Sequence, residues 1–130
     1  MRVVFDTNIF ISAFVIPGGY AEKAIVKIIE SGDSLIISKE IIDEVLSVLS
    51  SKFGRDGEAL SRVAVYLFEI AELVRPTERV SILKDEPDNR IIECAMEGKA
   101  DVVVTGDKEM LKMKQFHGIR IISLKEYLYT

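Results

Sequence analysis

Hydrophobic positions along the chain fall into short continuous runs and longer helical-period stretches. Val3-Val4-Phe5 forms a first apolar run, which predicts a strand over 2–5 buried on both faces. Ile9-Phe10-Ile11 and Ala13-Phe14 are too crowded for a surface loop, and Pro17-Gly18-Gly19 breaks the chain. Ala21, Ala24, Ile25, Ile28 and Ile29 recur at helical spacing up to Gly32. Leu35-Ile36-Ile37 reads as a second strand. Ser38 is placed to cap a helix carrying Ile41, Ile42, Val45, Leu46, Val48 and Leu49. After a polar break from Gly54 to Gly57, a further helix runs through Leu60, Val63, Ala64, Leu67, Phe68 and Ala71.

The remainder repeats the alternation. Leu73-Val74 and Val80 to Leu83 are weaker extended candidates. Asp85-Glu86-Pro87-Asp88-Asn89 opens a helix that Gly98 closes. Ala100 to Thr105 is the clearest central strand, Asp107 opens a short helix with Met110 and Leu111, and Ile119 to Ile122 is a last strand before a helix near Glu126-Tyr127-Leu128. Strands alternating with helices predict an α/β fold, a central mainly parallel sheet between helical layers. The helices between residues 38 and 73 follow one another without a strand and are expected to flank the sheet. The length of 130 residues suits one domain, 1–130, and no repeat or linker divides it.

Composition narrows the partners. Lys and Arg number 17 against 21 Asp and Glu, a net charge of −4. A pI of about 5.1 argues against a protein that coats nucleic acid by bulk charge, while leaving room for a local basic strip. One cysteine, Cys94, excludes an internal disulfide and is expected to be a buried thiol. One histidine, His117, cannot build a His/Cys zinc site and is given no role. No apolar run reaches the ~18 residues of a membrane span. Asp6 interrupts any apolar signal segment, so the expected location is the cytoplasm.

The chemistry lies in acids at strand ends. Asp6 follows the first strand and Asp107 follows the central one through Gly106, where open α/β sheets build their sites. Each has a competing reading as a helix cap. Asp88, after Asp85 and Pro87, also suits capping and dipole chemistry. Glu44 lies beside Val48 at the edge of its helix's apolar arc, with Glu40 and Asp43 turned further toward solvent. A solvated face is the alternative for it. If the four acids converge, a pair of carboxylates about 4 Å apart repels by about 4 kcal/mol at an effective dielectric near 20, so the cluster needs a proton or a cation. Oxygen ligands alone select a hard ion, Mg²⁺ or Mn²⁺, which suits hydrolysis or transfer at a phosphate.

Asp6-Thr7-Asn8, Glu44, Asp85-x-x-Asp88-Asn89 and Thr105-Gly106-Asp107, in this order and spacing, resemble the PIN domain. The similarity runs over essentially the whole chain and is nearest to short prokaryotic members of the toxin type. The resemblance implies an α/β/α sandwich and a metal-dependent endoribonuclease with Asp6, Glu44, Asp88 and Asp107 as the metal-binding quartet. It further implies supporting roles for Asn8, Thr105, Asp85 and Asn89. Glu109 stands where relatives often have a second Asp. Lys108, Lys112 and Lys114 could guide an RNA backbone, or form a solvated basic face. The family implies an RNA substrate, often a small antitoxin partner, and a homodimer or higher homo-oligomer. The alternatives are a catalytically silent RNA- or protein-binding module of the same fold, a phospho-accepting receiver domain and an Asp-x-Asp phosphatase. Glu44 has no role in the receiver domain, and Asn8 takes the second acidic place of the phosphatase motif.

Overall fold

A computed structural model describes residues 1–130. Its elements are β1 (Arg2–Phe5), α1 (Thr7–Val15), α2 (Tyr20–Ser31), β2 (Ser34–Ser38), α3 (Lys39–Phe53), α4 (Gly57–Ile70) and β3 (Ala71–Val74). They continue with α5 (Glu86–Glu97), β4 (Val102–Val104), α6 (Lys108–Met113), β5 (Gln115–Phe116), β6 (Ile119–Ile122) and α7 (Leu124–Leu128). One six-stranded sheet has the order β3-β2-β1-β4-β6-β5. All neighbours pair in parallel except β5, which is antiparallel to β6. No single helix is long and apolar enough to cross a membrane.

The continuous apolar runs are strands buried on both faces, as expected for parallel strands between helical layers. Phe5 packs on Phe10 of α1 and Tyr127 of α7, with centroids 5.7 and 5.8 Å away. Val4 and its register partner Ile36 face the other way, toward α5. The result is a three-layer α/β/α sandwich of mostly parallel strands. Between β2 and β3 lie two helices, α3 and α4. Ser38 accepts from the Ile41 amide at 3.3 Å and starts α3, while Asp56 accepts from the Ala59 amide at 2.9 Å and starts α4.

Four details depart from the sequence reading. Ala71, read as part of the helix after Gly57, opens β3 instead. The central strand covers only Val102–Val104 within the predicted 100–105. Residues 115–118, outside every predicted element, include β5 and a two-residue hairpin turn. His117 and Gly118 both take positive φ there (50° and 83°), the backbone of a tight turn between antiparallel strands. The extended candidate at Val80 to Leu83 joins no strand. It is held instead by buried polar groups of α5: Asn89 Oδ1 accepts from the Ile82 and Leu83 amides (3.2 and 2.9 Å), and Glu93 accepts from the Val80 amide (2.8 Å).

The end of α5 lies hard against β2. A methyl group on Gly98 would come within 2.5 Å of Ile36 Cγ2 and 3.2 Å of the Cys94 carbonyl. Its φ of −80° suits any residue, so space rather than conformation demands glycine here. Gly98→Ala is therefore expected to lower the unfolding free energy by about 1–3 kcal/mol, the cost of overpacking a full core. Urea titration should show a lower midpoint with an unchanged slope.

Candidate metal centre at the sheet switch point

β1 has β2 on one side and β4 on the other, so the chain reverses its direction across the sheet at β1. The crevice outside the carboxyl ends of β1 and β4 is the place where open α/β sheets bind ligands. Asp6 closes β1 there, with its amide donating to the Val104 carbonyl at 2.9 Å. Asp6 Oδ1 accepts from the Asn8 amide at 3.2 Å, and Oδ2 accepts from the Thr105 hydroxyl at 2.6 Å. The Thr105 oxygen in turn accepts from the Asp107 amide at 3.0 Å. Asp107 Oδ1 accepts from the Glu109 amide at 2.8 Å and starts α6. Thus the acids at the two strand ends are helix caps and crevice walls at once.

Asp88 enters the same crevice from the first turn of α5. It is 9% exposed and Asp6 only 3%. Burial, then the hydrogen bond with Asp107, then the charges of Asp6, Asp107 and Asp85, lift the Asp88 carboxyl to about 8. The hydrogen bond from Asp88 holds Asp107 below the usual carboxylate range. Burial raises Asp6, against the hydrogen bonds from Thr105 and Asn8 and with the help of the Asp107 and Asp85 charges. None of the ion pairs in the structure involves Asp6, Asp85, Asp88 or Asp107. Three aspartates therefore share a crevice with no basic side chain to balance them.

The other predicted residues fall in several places. Glu44 is half-buried on α3 and lines a cleft of about 200 Å³ with Thr7, Ile41, Glu86, Pro87 and Arg90. Thr7 and Pro87 are the chain neighbours of Asp6 and Asp88, so this cleft adjoins the crevice. Glu40 also lines it but is exposed, and exposed Asp43 pairs with Lys39. Asp85 precedes α5 without a side-chain cap bond, and its charge reaches Asp6 and Asp88. Asn8 meets Asp6 through its backbone, and its side chain is exposed. Asn89 is turned away from the acids: besides its two backbone donors, its amide donates to the Leu83 carbonyl at 2.9 Å. Lys108, Lys112 and Lys114 are exposed, and Lys112 pairs with Glu109 at 3.1 Å.

Sequence reasoning does not single out Glu93, although it is 4% exposed, accepts from Arg79 and the Val80 amide, and forms an ion pair with Arg90 at 2.9 Å. Its signal is weak, an acid inside the apolar run Ile91-Ile92-x-Cys94-Ala95. With Asn89 it fixes the segment leading into Asp85 and Asp88.

The donor set fits a hard divalent ion, being all oxygen, largely buried and without a basic partner. As the side chains stand, no three acids are drawn tightly enough about one point to ligate an ion. Burial and the neighbouring acids favour a proton on Asp88 in place of a cation.

A mainly parallel sheet of this order, with aspartates at its switch point, is the architecture of a PIN domain. The chain belongs to that family, whose PIN domain description matches residues 2–109. The uncharacterized protein MJ1680 of Methanocaldococcus jannaschii is 30% identical over 118 residues, 88% of this chain and 76% of its own length. The fold is similar to that of VapBC2 from Rickettsia felis, solved bound to a promoter DNA fragment. That match has TM-score 0.65 and 15% identity over 95% of this chain and 98% of that one. It is also similar to VapBC-1 from nontypeable Haemophilus influenzae, with TM-score 0.67 and 16% identity over 96% and 99% of the two chains.

The folded pair keeps its proton to a pH near 8, where both acids would be ionised in the unfolded chain. The folded state thus binds more protons than the unfolded one between about pH 4 and 8, and stability falls as pH rises through that window. In EDTA the melting temperature should drop from pH 5 to pH 8, and added Mg²⁺ or Mn²⁺ should raise it most at the upper end. Asp88→Asn, which keeps a donor toward Asp107 without a titrating proton, should flatten the pH dependence. A flat profile for the unsubstituted protein would show that the acids are not coupled.

Proposed function

We propose that the chain is a single-domain, Mg²⁺- or Mn²⁺-dependent endoribonuclease of the toxin type, acting in the cytoplasm and held in check by a small antitoxin protein. The observation that carries this reading is the group of three aspartates at the switch point, Asp6 and Asp88 buried and Asp107 half-buried, with no basic partner. Family membership points to the same chemistry, and the two VapBC structures of the same fold supply the analogy for the antitoxin. Asp6, Asp88 and Asp107 would hold the ion, with Glu44 facing it across the adjoining cleft. An ion there supplies charge to offset the phosphate and acidity toward water.

The surrounding residues prepare that crevice. Thr105 occupies one lone pair of Asp6 Oδ2 and fixes the carboxylate's rotation, leaving its outer lone pairs free. Asp107 spends Oδ1 on the Glu109 amide, which fixes its carboxylate at the start of α6 beside Asp88. Asn89 and Glu93 anchor the 80–83 segment and thereby the start of α5, which sets where Asp88 stands.

A second reading, a silent binding module of the same fold, has the unclosed arrangement of the acids in its favour. One comparison separates the two. The unsubstituted protein should cleave single-stranded RNA with Mg²⁺ or Mn²⁺, and EDTA should abolish cleavage. Asp6→Asn should lower it by at least about 100-fold, the scale on which losing a metal ligand or its orienting partner acts. Cleavage that survives EDTA or Asp6→Asn would overturn the mechanism, and RNA binding without cleavage in any metal would select the silent module.

A further inference from the structure

α1 and α3 pack along each other, and two clefts open on their seam. The first adjoins the acids and takes Thr7 from α1 and Ile41 and Glu44 from α3. The second takes Phe14 from α1 and Leu49 from α3, and has a volume of about 260 Å³. Thr7 and Phe14 lie almost two full turns apart on one face of α1, which spaces the clefts by about 10 Å along its axis.

The second cleft has a different chemistry from the first. Arg55, Arg62, Val63 and Tyr66 complete it. Phe14 and Tyr66 meet edge to face, with centroids 6.0 Å apart and planes at 81°. Both rings are half-buried, while Arg55 and Arg62 are exposed. Arg55 has no acidic partner, and its backbone is fixed by its amide donating a hydrogen bond to the Leu49 carbonyl at 3.1 Å, just past Gly54 at the end of α3. Arg62 pairs only with exposed Glu58 at 2.9 Å, a surface pair that a phosphate readily replaces. The nearby Asp56 carboxylate is committed to capping α4. Aromatic faces beside guanidinium groups make a platform for a base and a clamp for its phosphate.

We infer that this cleft is a subsite for single-stranded RNA. It holds a nucleotide of the strand whose scissile phosphate lies at the aspartates, with Arg55 and Arg62 on phosphate and the Phe14–Tyr66 wall against the base. The inference rests on the ribonuclease reading and gives the single strand a path, laid along the α1–α3 seam. A duplex cannot offer a base face to the wall, because its bases are stacked on one another.

The test is fluorescence anisotropy with a labelled single-stranded oligoribonucleotide, in EDTA and over a range of salt. It therefore reads binding whether or not the protein cleaves. The variant Arg55→Ala/Arg62→Ala, on the exposed surface, should melt like the unsubstituted protein and bind the strand at least about tenfold more weakly. Its slope of log affinity against log salt should be shallower by about 1.4, about 0.7 for each phosphate no longer neutralised. Arg55→Lys/Arg62→Lys should recover most of that slope, and duplex RNA of the same sequence should bind more weakly than the single strand. Unchanged affinity and slope in the alanine variant would overturn the subsite even if the protein proves to be a nuclease. Failure of the unsubstituted protein to bind RNA would overturn it as well. Polyglutamate binding abolished in the variant, with RNA binding intact, would overturn it in favour of an acidic protein segment. Conversely, arginine-dependent binding without cleavage in any metal would sink the nuclease reading and leave the subsite standing.

Discussion

Everything at the carboxyl end of the sheet depends on the placing of three carboxylates where β1 and β4 diverge. The topology forces this convergence. β1 sits between β2 and β4, so the connections after β1, before α5 and after β4 all reach the same crevice. Asp6, Asp88 and Asp107 come from those three connections, and each stands at the start of a helix. Helix dipoles offset negative charge by about 0.3–1 kcal/mol apiece, whereas two carboxylates about 4 Å apart repel by about 4 kcal/mol at an effective dielectric near 20. Capping therefore cannot balance the cluster. A proton on Asp88, which burial and its acidic neighbours favour, balances it in part, and a divalent ion would do so more completely.

The same comparison explains why the crevice is built of buried polar contacts. Thr105 is completely buried and touches two of the three acid positions, accepting from the Asp107 amide and donating to Asp6. A hydrophobic residue there would leave Asp6 without its donor in a place water hardly reaches, where an unsatisfied charge is costly. Thr105 therefore belongs to the stability of the crevice as much as to its chemistry.

Much of this is legible in the sequence, for a definite reason. Parallel strands buried on both faces appear as unbroken apolar runs, so β1, β2, β4 and β6 stand out, as do the acids that end β1 and follow β4. Other parts are hidden because their cause is tertiary. β5 is two residues long and exists only by pairing with β6 across the His117-Gly118 turn. Val80 to Leu83 has strand-like composition, yet Asn89 and Glu93 meet its amides before any strand can. The resemblance groups Asn89 with the acids. One residue further along a helix turns a side chain by about 100°, and that rotation sends Asn89 to the 82–83 backbone. Glu44 is separable from Glu40 and Asp43 by the same angular argument, and its half-buried position agrees with that ordering.

The distribution of cations follows from the acids. An arginine or lysine within reach of the three aspartates would pair with them, lower their affinity for a metal and lose its own freedom to meet a phosphate. The bases near the acids in sequence leave them unpaired: Lys84 and Lys108 are exposed and form no ion pair with them. Arg90 is engaged by Glu93 and Glu86, and Lys112 by Glu109. An unpaired guanidinium, Arg55, stands about two helical turns away along α1, beside one that holds only a surface partner. A chain of net charge −4 can in this way present positive charge to a polyanion without neutralising its own acidic centre. Separating the two charges along one helix seam keeps both usable, because interactions between exposed groups are screened over roughly 8–10 Å at ordinary ionic strength.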